Sequence, residues 1–189
     1  MKIILSVIFT LLGLCLLGII FIFSGIYNVS AMNPDTGIKK WVLETTSDNS
    51  VEHHAKDIRV PNLDEPSMVK MGLSHYKEMC ESCHRGPGTE ETELAKGLNP
   101  SAPNLAEGTD LGPREIFWIV KNGIKMTGMP AWGKTHSDYK IWAITAAVKK
   151  LNDIPIKVYN SIPIEEDEDN NAGAEEEGSD TTSHELRYH

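Results

Sequence analysis

The residues with the clearest chemical potential form the segment Cys80-Glu81-Ser82-Cys83-His84. This is the C-x-x-C-H pattern of haem c attachment. Two cysteines one helical turn apart can each form a thioether to one of the two vinyl groups of a single porphyrin. The histidine that follows is then held under the iron as its proximal ligand. The segment predicts one covalently bound haem, with Cys80, Cys83 and His84 as binding residues and His84 as an iron ligand.

A zinc site, a redox pair or a disulfide would each account for less of this segment. A structural zinc site needs four ligands, commonly with a second cysteine pair, but the only other cysteine, Cys15, lies in an apolar N-terminal run. A thioredoxin-like redox pair is expected among alternating strands and helices, and the sequence offers no such alternation. A disulfide between Cys80 and Cys83 leaves His84 unexplained. Haem attachment accounts for all three residues.

A second iron ligand is predicted in the segment 128–133, which reads GMPAWG and follows His84 by about 45 residues. Met129 lies there between a glycine, which lets the backbone approach closely, and Pro130, which holds the chain extended. Its thioether can close the sixth position of the iron. Met126 is close enough to compete, but a methionine is often a filler of apolar space. We therefore expect Met126 to line the pocket without binding iron.

These motifs carry a family resemblance. The segment 57–152 resembles a class I cytochrome c, and it is similar to small bacterial mono-haem cytochromes with a G-M-P-A-W-G methionine loop. The resemblance covers about half of the chain and implies an all-α fold of three main helices around a covalent haem. The expected helices are 68–80, with Ser67 as N-cap, a middle helix that starts at Gly112-Pro113 and stops at Gly123, and 137–151.

The resemblance also implies roles for residues around the haem. The segment 102–105 resembles the family's loop whose proline carbonyl accepts a hydrogen bond from the histidine ligand, so Pro103 is expected to orient His84. Gly72 and Tyr76 are expected to meet Trp142 where the first and last helices cross. The further residues expected to contact the haem are Tyr76, Leu105, Trp118 and Trp132.

The N-terminal segment 1–31 is predicted to be a transmembrane signal anchor. Residues 3–26 carry no charge and as a helix would span about 36 Å, which exceeds a hydrocarbon layer of about 30 Å. A cleaved signal peptide is the alternative, with Val29 and Ala31 before the cut. The stretch 32–66, rich in Asp, Ser, Thr and Asn, predicts a linker with little regular structure and a reach of about 30 Å. As a domain assignment, the polar linker is residues 32–56, and the predicted haem domain begins at residue 57. We assign no function to His53 and His54.

The net charge of −9 is concentrated at the C-terminus. Residues 57–152 contain 12 basic and 12 acidic side chains, whereas 165–189 contain 10 acidic side chains and one arginine. We predict that 153–189 is a disordered acidic tail in which His184 and His189 are solvated. No block of lysine and arginine interleaved with aromatic residues occurs, which argues against nucleic-acid binding.

An iron with His and Met in both axial positions has no open place for a substrate, so the predicted function is electron transfer and not catalysis. We expect a single-electron carrier of a membrane respiratory chain, held at the bacterial cytoplasmic membrane with its haem domain on the periplasmic side, or released there if the signal is cleaved. Expected partners are a quinol-oxidising complex or dehydrogenase, a terminal oxidase and, through the N-terminal helix, lipid. The alternatives are a haem subunit of a larger oxidoreductase complex, a sensor or peroxidase in which Met129 leaves the iron, and a docking protein that uses the acidic tail.

Overall fold

The computed structural model describes residues 1–164, and every regular element in that range is helical. The α-helices are α1 Lys2–Phe23, α2 Gly37–Ala55, α3 Pro66–His75, α4 Glu81–His84, α5 Glu93–Lys96, α6 Pro113–Asn122, α7 Asp138–Lys150 and α8 Ile156–Ser161. Short 3₁₀ turns occur at Leu105–Glu107, Trp132–Lys134 and Leu151–Asp153, and a π-helical turn at Tyr76–Cys80. The predicted all-α class is confirmed.

The three main predicted helices correspond to α3, α6 and α7, and α7 is the central one. Every residue of α7 from Ile141 to Val148 is buried. It packs against both α3 and α6. These contacts form the core from which the shorter elements and loops extend.

The crossing of α3 over α7 depends on Gly72. A Cβ at this position would lie 1.8 Å from the carbonyl oxygen of Ala143 and 3.0 Å from the Cβ of Ala147. Trp142, which we expected at this crossing, stacks on Phe117 of α6 with ring centroids 4.0 Å apart. Gly72 therefore joins α3 to α7, while Trp142 joins α7 to α6.

The ends of α6 and α7 agree with the sequence predictions. Gly112 precedes α6 and Pro113 occupies its first turn, while Gly123 ends it at φ 65°. Ser137 caps α7, and its side chain accepts a hydrogen bond from the backbone N–H of Lys140. The residues at which these two helices begin and end are thus determined by capping residues that can be recognised in the sequence.

The first predicted helix differs from the structure at both ends. Its N-cap is Glu65, not Ser67, because Pro66 occupies the first helical position, where its missing N–H is no loss. The helix is also not continuous to Cys80. It changes into the π-helical turn at Tyr76 and resumes as α4. Single π turns inside α-helices are frequent at functional sites.

The prediction that residues 32–66 have little regular structure is wrong over most of that range, because residues 37–55 form α2. This helix packs against α6 and buries Val51 and Ala55. Beyond its end, Arg114 Nη1 donates a hydrogen bond to the carbonyl of Lys56 at 2.8 Å. Contact with α6 and Arg114, and not intrinsic propensity, explains the helix.

Regular structure also continues past Asn152, where we expected the tail to begin. The helix α8 places Tyr159 in the core with no exposed surface. A Cβ on Gly86 would lie 2.6 Å from the Tyr159 ring, so this segment closes onto the chain just after His84. The predicted disordered acidic segment 165–189 lies outside the described residues.

At the N-terminus, α1 is a 22-residue apolar helix without a buried residue. It would extend about 33 Å, enough to cross a bilayer. Such a helix is compatible with a membrane anchor or a signal sequence.

Candidate functional site

A cavity of about 750 Å³ lies between α6, the cysteine motif, the methionine loop and the C-terminal half of α2. This volume is in the range of small-molecule and cofactor sites. The structure brings almost all predicted haem-contact residues to its walls. They are Tyr76, Cys80, Cys83, His84, Pro103, Leu105, Met129 and Trp132.

His84 is oriented by a single backbone carbonyl. Its Nδ1 lies 3.0 Å from the oxygen of Pro103, and since a carbonyl can only accept, Nδ1 must donate. In a neutral imidazole the lone pair is then on Nε2, as in histidines that bind metals. Burial lowers the pKa of His84, opposed by its hydrogen bond to Pro103. The ring is thereby kept neutral and available to a metal through Nε2.

The turn after His84 is fixed by Tyr76. The Tyr76 hydroxyl lies 2.5 Å from the carbonyl oxygen of Arg85 and 3.3 Å from that of His84. Arg85 has φ 60°, which is unusual for a residue with a side chain. Burial raises the pKa of Tyr76, so the hydroxyl stays protonated and can donate these hydrogen bonds. This contact holds the backbone that positions the histidine.

The two cysteines of the motif both lie on the cavity wall. Cys80 lies at the end of the π-helical turn and Cys83 in α4. Burial, and to a smaller extent the neighbouring Cys83, raises the pKa of the Cys80 thiol to about 12. Cys80 is therefore uncharged at neutral pH, which suits an apolar cavity.

The methionine loop is held by short polar contacts. The backbone N–H of Met129 donates to Thr127 Oγ1 at 3.1 Å, and the Thr127 hydroxyl donates to the carbonyl of Ile124 at 2.8 Å. Gly123 is tight against this loop, since a Cβ there would lie 2.8 Å from the carbonyl oxygen of Met129. These contacts hold the backbone of Met129, which lines the same cavity as His84.

Met126 and Trp118 do not have the predicted positions. Met126 is 98% exposed and has φ 60°, so it points to solvent at the tip of the loop and does not line the pocket. Trp118 is absent from the cavity wall among the described residues. Its ring lies 5.6 Å from that of His54 in α2, because the α6 face that carries it packs against α2.

The sequence did not reveal the part of the wall contributed by α2. Ser47, Asp48, Val51 and Glu52 line the cavity, although we assigned this stretch to a linker. The only sequence signal was the pair Val51 and Ala55, spaced one helical turn apart. The other lining residues not predicted as contacts include the carboxylates Asp110 and Glu115. Most of the rest are apolar or small, among them Met79, Leu94, Leu98, Leu111, Ile116, Ile119, Val120, Ile124, Thr127, Ile144 and Val148.

The walls fit a haem in size, polarity and donor chemistry. They combine two cysteine sulfurs, one imidazole with a free nitrogen and two thioethers, those of Met79 and Met129, in a largely apolar enclosure. A family model described as cytochrome c oxidase, cbb3-type, subunit III, matches residues 67–146. The matched segment is a class I, mono-haem cytochrome c domain. It carries covalently bound haem c and serves haem-based electron transfer.

The matched range of the cytochrome c domain contains the cysteine motif, Pro103 and the methionine loop, but it begins after α2. A search among curated proteins found no match. The wall contributed by α2 therefore lies outside the residues that the family model matches.

Proposed function

We propose that the cytochrome c domain is a single-electron carrier with His84 and Met129 as axial ligands of its haem and with thioether bonds from Cys80 and Cys83. The observation that carries this proposal is the placement of His84 and Met129 on the walls of one cavity from separate elements. Two protein ligands leave the iron no vacant position for substrate or oxygen. The haem supplies a reversible one-electron change of its iron.

The protein's own residues would keep this change fast and reversible. Pro103 fixes the tautomer and direction of His84, and Thr127 fixes the backbone of Met129. Neither ligand then has to rearrange when the electron arrives or leaves. The apolar lining keeps water from the site, and the thioethers would retain the cofactor in both oxidation states. A carrier, and not an enzyme, is the function that such a site supports.

The proposed location is a membrane, with α1 as the anchor and the haem domain on the outer, periplasmic side. The apolar composition and length of α1 support the anchor, and the outer side follows from where haem c is attached in bacteria, as the cytochrome c resemblance implies. Redox partners would then be membrane proteins, a quinol-oxidising complex or dehydrogenase as donor and a terminal oxidase as acceptor.

A second candidate is favoured by the description of the matched family, which is a subunit of a cbb3-type oxidase. The chain would then be a haem subunit of a larger oxidoreductase complex. Mild detergent extraction distinguishes the two cases, because a subunit copurifies with a catalytic subunit in fixed ratio and a free carrier does not.

Replacing Met129 by alanine tests the proposed ligation. The ferric protein should lose the weak red absorption band of sulfur bound to iron, its reduction potential should fall, and the reduced protein should bind carbon monoxide at neutral pH. The absorption spectrum, a redox titration and carbon monoxide binding measure these three effects.

Met126→Ala is the matched control, because Met126 is three residues away and points to solvent. It should change none of the three properties. If Met126→Ala removes the band and Met129→Ala does not, the ligand assignment is wrong. If the wild-type protein lacks the band and binds carbon monoxide rapidly, a sensor or peroxidase with an open iron position replaces the electron carrier.

A further inference from the structure

The helix α2 lies outside the matched cytochrome segment, yet it is attached to the haem domain at several points. Val51 and Ala55 are buried against the domain, and Arg114 holds the carbonyl of Lys56. Before the helix, the side-chain amide of Asn99 donates to the carbonyl of Asn33 at 3.2 Å. Contacts before, along and after the helix fix its position on the domain.

This position makes α2 a wall of the haem cavity. Val51 is 6% exposed and presents an apolar side chain to the cavity. Asp48 and Glu52, one turn before and one residue after it, contribute two carboxylates to the same wall. The remaining carboxylates of the lining are Asp110 and Glu115.

The charges of this wall are all of one sign. Within the part of the chain that the structure describes, neither lysine nor arginine lines the cavity, and His84 is the one histidine that does. Lys149 donates to the carbonyl of Leu111, but it does so from outside the lining. Glu115 folds back over Gly112 at the start of α6, whereas Asp48 and Glu52 belong to α2.

We propose that α2 sets the reduction potential of the haem: its Asp48 and Glu52 lower the potential, and its Val51 raises it by excluding water. Oxidised haem carries one more positive charge than reduced haem, so nearby carboxylates stabilise the oxidised form. Water stabilises that extra charge as well, so its exclusion acts in the opposite direction. This proposal rests on the haem occupying the cavity described above.

Redox titration of the full chain, loaded with haem and held in detergent, tests the proposal. The double variant Asp48→Asn/Glu52→Gln should have a higher midpoint potential than the wild type. At a fixed electrode potential we expect the ratio of reduced to oxidised protein to rise about threefold, which for a one-electron couple is about 28 mV. Because both carboxylates are exposed on their outer sides, the shift should shrink at high ionic strength.

Two further variants separate this effect from general damage. Glu44→Gln removes a carboxylate of the same helix that does not line the cavity and pairs with Lys40 at 3.6 Å, so it should leave the midpoint unchanged. Val51→Ala should shift the midpoint downward, opposite to the double variant. A structural disturbance of α2 would instead move all of these variants in one direction.

The proposal is overturned if the double variant titrates like the wild type, if Glu44→Gln shifts the midpoint equally, or if Val51→Ala shifts it upward. Each measurement is made only on protein whose haem resists acid-acetone extraction. If no such haem is present, the proposed attachment site fails first. If the haem is covalently bound and the potential is insensitive to α2, the site stands and the role of α2 is wrong.

Discussion

The hydrogen bond between His84 and the Pro103 carbonyl connects two segments that are 19 residues apart in the chain. It matters because a histidine ligand has two nitrogens, and the partner of one decides which lone pair the other presents. Tyr76 acts on the backbone, since its hydroxyl donates to the carbonyls of His84 and Arg85. The histidine is thus positioned through its ring and through its backbone by different residues.

Replacing both Cys80 and Cys83 by serine should leave no haem that survives acid-acetone extraction, because serine cannot form a thioether with a vinyl group. The haem content of the extracted protein, measured by absorbance, checks this outcome.

Cys15→Ser is the control for the cysteine variant, since Cys15 is the third cysteine and lies exposed in α1. It should retain the full amount of extraction-resistant haem. Persistence of such haem in the double variant would contradict the attachment assignment.

Most of the candidate site could be predicted from residue types and spacing. The positions of Cys80, Cys83 and His84 relative to one another follow from a local motif, and Met129 is fixed by the glycine and proline beside it. Met126 and Trp118 were misplaced for a different reason. The direction of a side chain at a loop tip, or on a helix face that meets an unpredicted helix, depends on contacts between distant segments that local spacing does not encode.

At the scale of elements, the fold depends on how closely α3 can approach α7. The position of Gly72 brings its backbone against the carbonyl of Ala143, and any side chain there would meet backbone atoms that cannot rotate away. The cysteine motif follows α3 through the π-helical turn. A displacement of α3 would therefore also displace Cys80, Cys83 and His84, the residues proposed to bind the haem.

Gly72→Ala should destabilise the protein by about 2 kcal/mol. A clash with backbone atoms belongs at the upper end of the overpacking cost of about 1–3 kcal/mol, and the better helix propensity of alanine offsets about 1 kcal/mol of it. Denaturant unfolding followed by haem absorbance measures the change in the free energy of unfolding.

Gly97→Ala is the corresponding control at a glycine with room. A Cβ there has its nearest neighbour at 3.5 Å, and its φ of −82° suits any residue. We expect a change within about 0.5 kcal/mol. Equal effects of the two substitutions would mean that the crossing does not depend on Gly72.

The helices α6 and α7 were predictable because their capping residues and the spacing of their apolar residues are features of short, continuous segments of sequence. The helix α2 was not, because its sequence is polar and its apolar residues do not follow one face over its whole length. Its buried residues, Val51 and Ala55, lie in its last turns. The helix packs against α6, about sixty residues further along the chain. The short α8 was missed for the same reason, as its main anchor is the single buried Tyr159.

For the whole molecule, the concentration of negative charge in residues 165–189 predicts how its association with redox partners depends on salt. Deleting 165–189, which carry 10 acidic side chains and one arginine, should leave the haem spectrum unchanged. The same deletion should weaken the dependence of the electron-transfer rate on ionic strength with a basic redox partner. Stopped-flow kinetics at several salt concentrations measures this slope.

A variant in which the 10 acidic residues of 165–189 become Asn or Gln separates charge from length. It should behave like the deletion if charge is responsible. A slope that stays at the wild-type value in both variants would show that this segment takes no part in docking.

The attachment of α2 to the haem domain shortens the free part of the chain. If α1 is the membrane anchor, the connection between the two helices is residues 24–36. Because Asn99 holds the carbonyl of Asn33, only residues 24–32 can act as a flexible coil. These nine residues have a typical reach of about 17 Å, compared with about 30 Å for the longer linker that we expected. A redox centre tethered so closely samples only a thin layer beside the bilayer. Electron exchange with a separate membrane complex then becomes a two-dimensional encounter, whose frequency depends on the number of copies of both proteins per unit of membrane area.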